Sequence, residues 1–234
     1  MSNTQEGDHL RAEAAQRALG YVRSGMVLGL GTGATHTHFL EGLAGQVQAG
    51  ALRDIVGVAT SEETAAHARA LGIPLATLAD HARLDLAVDG ADEVDPDLNL
   101  IKGLGRALLR EKIVEIHADR FLVVVDESKV VERLGRGPLP VEVVPFGLVA
   151  HLRWLHTLGC RAELWHEDDG SPIVTDNGNH LVRCWFPEGI DDAYALDRTL
   201  ADRPGIVEHG LFLDLADEVI VAGPQGTCVL TRDR

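Results

Sequence analysis

Between residues 87 and 95 the chain reads AVDGADEVD, three Asp and one Glu crowded onto the end of the apolar run LDLAV. Carboxylates this close repel one another and shift each other's pKa, so a cluster at a strand's C-terminal end suggests chemistry or a metal. The plain alternative is a solvated acidic turn. Asp89 and Asp92 fall where open α/β sheets hold ligands, beyond the carboxyl ends of strands. An EF-hand is rejected, since no register puts Gly at position six with ligands at one, three and five. Magnesium would need only two or three carboxylates and a substrate phosphate, whereas nearby Lys102 speaks for a metal-free site in which an ammonium supplies the positive charge. Glu93 and Asp95 are expected to be solvated or to cap amides of the turn.

Three further stretches could do chemistry. GLGTGAT, Gly29 to Thr35, stands between the strand MVLGL and a helix beginning near His36. Glycines let the backbone turn tightly, and amides at a helix N-terminus point at an anion, so Thr32, Gly33, Ala34 and Thr35 form a candidate phosphate cradle. The loop also fits G-x-G-x-x-A, yet the following strand, DIVGVA, ends in Thr60 and Ser61 rather than in the acid that would hold a dinucleotide ribose. In ALLREKIVEIHA, Leu109, Ile113 and Ile116 form one apolar stripe while Ala107, Val114 and Ala118 form a second, nearly opposite. Glu111 lies by the second stripe, where partial desolvation would raise its pKa toward that of a usable base; the alternative is an exposed helix-surface Glu. Lys129, after the strand ending at Asp126, could reach a phosphate or be a surface charge. His36 and His38 read as ordinary helix-start histidines, with no third metal ligand near them in sequence.

These residues need a frame. MVLGL, DIVGVA, PLATL, LDLAV and FLVVVD alternate with helical patterns, which implies a parallel sheet covered by helices, and DEVIVAG at 217–223 could rejoin it. From about residue 135 the order becomes VEVV, the helix GLVAHLRWLHTLG, RAELW, the hairpin strands PIVT and HLVRCWF, the helix DDAYALDRTLADR and GIVEH. Apart from the additional hairpin strand PIVT, this is the βαββαβ order of a ferredoxin-like module. The turn DNGN at 176–179 is expected to be type I′, with positive φ at Asn177 and Gly178. The expected fold is α/β, a doubly wound Rossmann-like parallel sheet spanning 1–134 and 207–234, with a smaller ferredoxin-like α+β domain inserted at 135–206.

Composition narrows the function. The 234 residues, 45% hydrophobic, suffice for a full core, and the net charge of −15 argues against nucleic-acid or anionic-membrane surfaces. Aromatics, at 4%, are too few for a stacking surface. Cys160, Cys184 and Cys228 read as free buried thiols of a reducing compartment, which places the protein in the cytoplasm. MSNTQEGDH reads as a frayed terminus. With neither an apolar signal region nor a membrane-length apolar run, secretion and membrane insertion are not expected.

Taken together, GLGTGAT, TSEET, DLAVDGADEVD, IKGLGRALLREKIV, VVDESKVVERLG, PLPVEVVPFG, TDNGN and GIVEHGLF resemble, in order, the ribose-5-phosphate isomerases of the A type. The resemblance spans nearly the whole chain. It implies interconversion of D-ribose 5-phosphate and D-ribulose 5-phosphate through an enediolate, in the non-oxidative pentose phosphate pathway, with no metal or organic cofactor. It further implies that Glu111 is the proton acceptor, that Asp89 and Asp92 hold sugar hydroxyls and help open the ring, and that Lys102 stabilises the developing oxyanion. Thr32 to Thr35, Gly90, Ala91, Gly103, Leu104, Gly105 and Lys129 would line the substrate site, and the protein would be a homodimer or homotetramer. Leu104 stands where the family commonly has glycine and cannot cheaply adopt positive φ, so that position takes ordinary angles or the loop is shaped differently. The competing reading is a non-catalytic sugar-phosphate sensor of related fold, which would have no need for Glu111 and Lys102 together.

Overall fold

The computed structural model describes residues 3–232. In chain order the elements are α1 (Asn3–Leu19), β1 (Val27–Leu30), α2 (Ala34–Gln48), β2 (Val56–Ala59), α3 (Glu62–Ala70), β3 (Leu86–Asp89), β4 (Glu93–Val94), β5 (Leu100–Ile101), α4 (Leu108–Glu115) and β6 (Phe121–Asp126). A 3-10 turn at Glu127–Lys129 leads on to β7 (Leu139–Val143), α5 (Leu148–His156), β8 (Arg161–Leu164), β9 (His180–Trp185), α6 (Ala193–Ala201), β10 (Ile206–His209), β11 (Leu211–Phe212), β12 (Glu218–Gly223) and β13 (Gly226–Thr231). The chain divides into two compact units, residues 1–91, 110–129 and 215–234 in the first and 92–109 and 130–214 in the second.

The first unit carries a six-stranded sheet in the order β13-β12-β6-β3-β1-β2. All pairings are parallel except that of β13 with β12. Strands covered on both faces cannot alternate polar and apolar residues, and FLVVVD in β6 is accordingly buried along its whole length. The core joins β-strand residues Leu28, Leu30, Val88, Val124 and Ile220 to Phe39, Leu40 and Leu43 of α2 and to Ala14, Ala15 and Ala18 of α1. The doubly wound expectation therefore holds, with four corrections. Residues from Asn3 onward belong to α1, where a frayed terminus is expected from sequence; Met1 and Ser2 lie outside the described residues. PLATL makes only an isolated bridge, Leu75 to Gly57, because its proline lacks a ladder donor and no run of pairs follows. The edge strand β13 turns back on β12 through Pro224 and Gln225, and its Cys228 is exposed, unlike the buried Cys160 and Cys184.

The second unit contains a four-stranded antiparallel sheet, β10-β7-β9-β8, with the βαββαβ chain order read from sequence. One face buries Leu139, Val141, Val143, Val182 and Cys184 with Leu155 of α5 and Leu200 of α6. PIVT is not a strand here but contributes two isolated bridges, Pro172 to His166 and Val174 to His180. The DNGN turn has positive φ at Gly178 (79°) but not at Asn177, so it is not type I′. It is held instead by Glu142, buried in β7, whose Oε1 accepts from Thr175 Oγ1 (2.9 Å), Asn177 Nδ2 (3.2 Å) and Asn179 Nδ2 (2.8 Å). A second, three-stranded sheet, β11-β5-β4, draws 92–109 and 207–214 into this unit, a division different from 135–206. Pairing of Leu211 with Ile101 and of Phe212 with Leu100 is the physical reason.

Candidate active site

In the first unit, the glycine loop leaves β1 and meets the end of β3. Asp89 is buried, and its Oδ1 accepts from the amides of Thr32 (3.0 Å) and Gly90 (2.7 Å). A Cβ on Gly31 would overlap the Asp89 carboxyl, so glycine at 31 is the condition for the carboxylate lying there. Asp89 thus clamps the loop and holds its own carboxyl in one orientation. Beyond the clamp, Gly33 (φ 113°) is the N-cap of α2, with no side-chain cap and no acid in the first turn. By contrast α3 is capped by Ser61 and opens on Glu62 and Glu63. The opening amides of α2, at the exposed Gly33 and Ala34 and at Thr35, are thus without a side-chain cap.

Hydroxyls gather behind this loop. Thr32 Oγ1 lies 2.7 Å from Thr60 Oγ1, 2.9 Å from Ser61 Oγ and 3.1 Å from Thr64 Oγ1. Sequence reasoning notices Thr60 and Ser61 but misses Thr64, whose spacing in TSEET places it one helical turn after Ser61.

Glu111 is 2% exposed on α4. The helix is seated in this unit by Val114, whose Cγ1 would stand 2.8 Å from a Cβ on Gly29, and Val114 also packs with Val58 and Leu84. One stripe of the expected pair is thereby buried. The other is not: Ile116 is 56% exposed and Ile113 is also exposed, so α4 is not apolar-packed on two sides among the described residues. Arg110, next to Glu111, turns to Glu62 (2.8 Å) and holds that exposed carboxyl below its usual pKa. At the end of β6, Asp126 Oδ1 accepts from the Ser128 amide (3.0 Å), Arg11 Nε lies 3.9 Å from Asp126 Oδ2, and Lys129 closes the 3-10 turn, half-buried.

In the second unit, Asp92 and Lys102 close the open end of the β4/β5 hairpin. Glu93 pairs with Ile101, and the Asp92 amide donates to the Ile101 carbonyl (2.8 Å), so the two charged residues occupy facing ends of paired strands. Lys102 is 2% exposed, its ammonium 5.4 Å from the centroid of the Phe212 ring, within cation–π range. Its amide donates to Gly210 O (2.9 Å), which fixes the backbone at the base of the side chain. Asp92 Oδ2 accepts from the Leu104 amide (2.9 Å), tying the loop Gly103-Leu104-Gly105 to the carboxylate. Leu104 keeps ordinary backbone angles. Positive φ falls on Gly103 (108°) and Arg106 (68°) instead, the latter held by its ion pair with Glu167 (2.7 Å) and by stacking on Trp165.

Glu93, expected to be solvated or to cap amides of its turn, is buried and caps amides of another segment: its carboxylate accepts from the amides of Gly135 (2.7 Å), Arg136 (3.3 Å) and Gly137. Asp95 does cap its own turn, accepting from the amides of Asp97 and Asn99. The acid cluster is therefore divided among a loop clamp, a hairpin end and two amide caps. Among the described residues, no group of three or more His, Cys, Asp or Glu is arranged to hold a metal ion, and no helix is long and apolar enough to cross a membrane.

Comparison with known proteins adds the following. The profile of the family ribose 5-phosphate isomerase A (phosphoriboisomerase A) matches residues 56–226. A ribose-5-phosphate isomerase A of Roseiflexus castenholzii is 55% identical over 221 residues, 94% of each chain. A solved D-ribose-5-phosphate isomerase in complex with phospho-erythronic acid superposes with a TM-score of 0.94 at 42% identity, over 96% of this chain and 99% of that one. The ribose 5-phosphate isomerase A of Methanocaldococcus jannaschii gives 0.91 at 38% identity, over 96% and 99%.

Proposed function

The chain belongs to the ribose 5-phosphate isomerase A family and interconverts D-ribose 5-phosphate and D-ribulose 5-phosphate; we propose that it does so through an enediolate, with Glu111 as the base. In the open-chain aldose, the Glu111 carboxylate takes the proton from C2 as the C1 carbonyl becomes an enediolate oxygen. The proton of the O2 hydroxyl passes to O1 in the enediolate, the same carboxyl returns a proton to C1, and O2 becomes the ketone oxygen. Lys102 supplies the fixed positive charge beside the developing oxyanion, a contribution of several kcal/mol, roughly 3 or 4 for one well-placed donor. Asp89, whose Oδ1 accepts from two loop amides, is assigned to a sugar hydroxyl. Asp92, which also holds the Leu104 amide, is assigned to the hydroxyls and to ring opening, with Gly90, Ala91, Gly103, Leu104 and Gly105 shaping the loops around the sugar. The phosphate is assigned to the amides of Gly33, Ala34 and Thr35, with Lys129 as an added cation. In this reading no metal takes part.

The observation that carries the mechanism is a carboxylate almost wholly removed from water on a helix fixed by Val114 against Gly29. A base so placed keeps its proton from bulk solvent while it moves between two carbons. The test is formation of ketose from D-ribose 5-phosphate with divalent cations chelated by EDTA. Full turnover under chelation is expected, and no turnover by the unaltered protein would sink the assignment.

The reading extends to assembly and place. We propose a homodimer or homotetramer, because Phe146 (91% exposed) and Val149 in the second unit, and Ile113 and Ile116 in the first, are apolar side chains that another copy would cover. Light scattering that gave a monomer mass would remove that part. A cytoplasmic location is proposed on the three free cysteines; a secreted native protein with these thiols oxidised would contradict it.

A further inference from the structure

The shorter contacts of the hydroxyl cluster behind the glycine loop, leaving aside the longest, 3.1 Å between Thr32 and Thr64, set a direction for its protons. Each hydroxyl owns one proton and two lone pairs. Thr64 Oγ1 lies 2.8 Å from Gly31 O, a carbonyl that can only accept, so the Thr64 proton goes there. Ser61 Oγ, 3.0 Å from Thr64 Oγ1, must then be the donor of that pair, and it also accepts from the Thr64 amide (3.0 Å). With the Ser61 proton spent, the contact with Thr32 Oγ1 is made by the Thr32 proton, and the 2.7 Å contact between Thr32 and Thr60 is made by the Thr60 proton. The result is a one-way chain, Thr60 to Thr32 to Ser61 to Thr64 to the carbonyl of Gly31. Thr60, Ser61 and Thr64 are all buried, so water does not compete for these bonds.

We infer that Thr60, Ser61 and Thr64 are positioning residues that set the affinity for the substrate's phosphate by fixing Thr32 and Gly31, and that the Thr32 hydroxyl does not itself donate to that phosphate. This rests on the assignment of phosphate to the loop amides made above. The loop is pinned on two sides, by Asp89 on the Thr32 amide and by the chain on the Thr32 side chain and the Gly31 carbonyl. An anion in the cradle is therefore met by amides already aimed at it, and the cost of ordering the loop falls on folding rather than on binding. The inward commitment of both threonine protons has a second consequence. Neither Thr32 nor Thr60 then offers a phosphate an O–H, so selection for the dianion falls on the loop amides, on cations and on such other hydroxyls as that of Thr35.

The test is Thr64→Val, which removes the hydroxyl and keeps the shape. Binding of inorganic phosphate is measured by calorimetry, and KM and kcat are measured with D-ribose 5-phosphate. The dissociation constant for phosphate and the KM are expected to rise together by about tenfold, the scale of one lost buried hydrogen bond, with kcat within about twofold. Thr64→Ser should restore both. A general loss of structure would lower kcat and would not be rescued by one hydroxyl. Unchanged phosphate affinity in Thr64→Val overturns the inference, as does a fall in kcat at constant KM. Should Thr64→Val not fold, Thr60→Val decides: it removes the first donor alone, and unchanged phosphate affinity there is equally fatal. The calorimetric arm needs no turnover, so failure of the isomerase reading and failure of this one give different results.

Discussion

Glu111→Gln is expected to lower kcat for D-ribose 5-phosphate by roughly 10²- to 10⁴-fold, the usual worth of a positioned general base, while KM changes little. The carboxamide has the carboxylate's shape and cannot accept a proton from carbon. Its helix is held by Val114 against Gly29, Val58 and Leu84, contacts that the substitution leaves alone, so the variant keeps the seat and loses only the base. Steady-state kinetics beside a circular-dichroism melt separates the two possibilities. A variant that melts with the unaltered protein and turns over within about threefold of it would remove Glu111 from the chemistry. A second readout is transfer of deuterium from C2 of labelled D-ribose 5-phosphate to C1 of the ketose, which the unaltered protein should catalyse and the variant should not.

The same residue shows how far a sequence can be read. Glu111 stands out because a carboxylate beside a small-residue stripe on a short helix is costly unless it has work to do, and that cost is visible in residue types alone. The strands of the six-stranded sheet are visible for a related reason: burial on both faces forces continuous β-branched runs such as VVVD and VIVAG. Other features leave no such trace. The sheet β11-β5-β4 is built of two-residue strands, too short for any alternation to register, and β11 lies far in sequence from its partner β5. Helix α1 buries Ala14, Ala15 and Ala18, and alanines carry a weak hydrophobic signal even where they pack fully. Glu93 reads as a solvated acid or a cap of its own turn because nothing local announces the amides of Gly135 to Gly137 that it caps. Thr64 reads as an ordinary helix residue because its role depends on where Gly31 and Thr32 come to lie.

Lys102→Met is expected to cost about 10²- to 10³-fold in kcat, the scale of removing one preorganised donor from a developing oxyanion, without lowering the melting temperature. The two halves of this prediction have one cause. Lys102 is buried against the face of Phe212, and an ammonium there must give up water that an apolar side chain of the same length never held. Methionine fills the space, and its sulfur suits an aromatic neighbour. The backbone is indifferent to the change, since the residue's amide still donates to Gly210 O and the β4/β5 pairing does not involve the side chain. Arg is not expected to rescue, because a planar guanidinium is larger than the ammonium and spreads its charge over a fork that a site closed around a point charge does not match. A methionine variant with full kcat would show that the enediolate is stabilised elsewhere. One that lost both activity and stability would make Lys102 a structural cation rather than an electrophile. Activity lost while stability is kept or gained is the signature of a charge retained for the transition state at the expense of the ground-state fold.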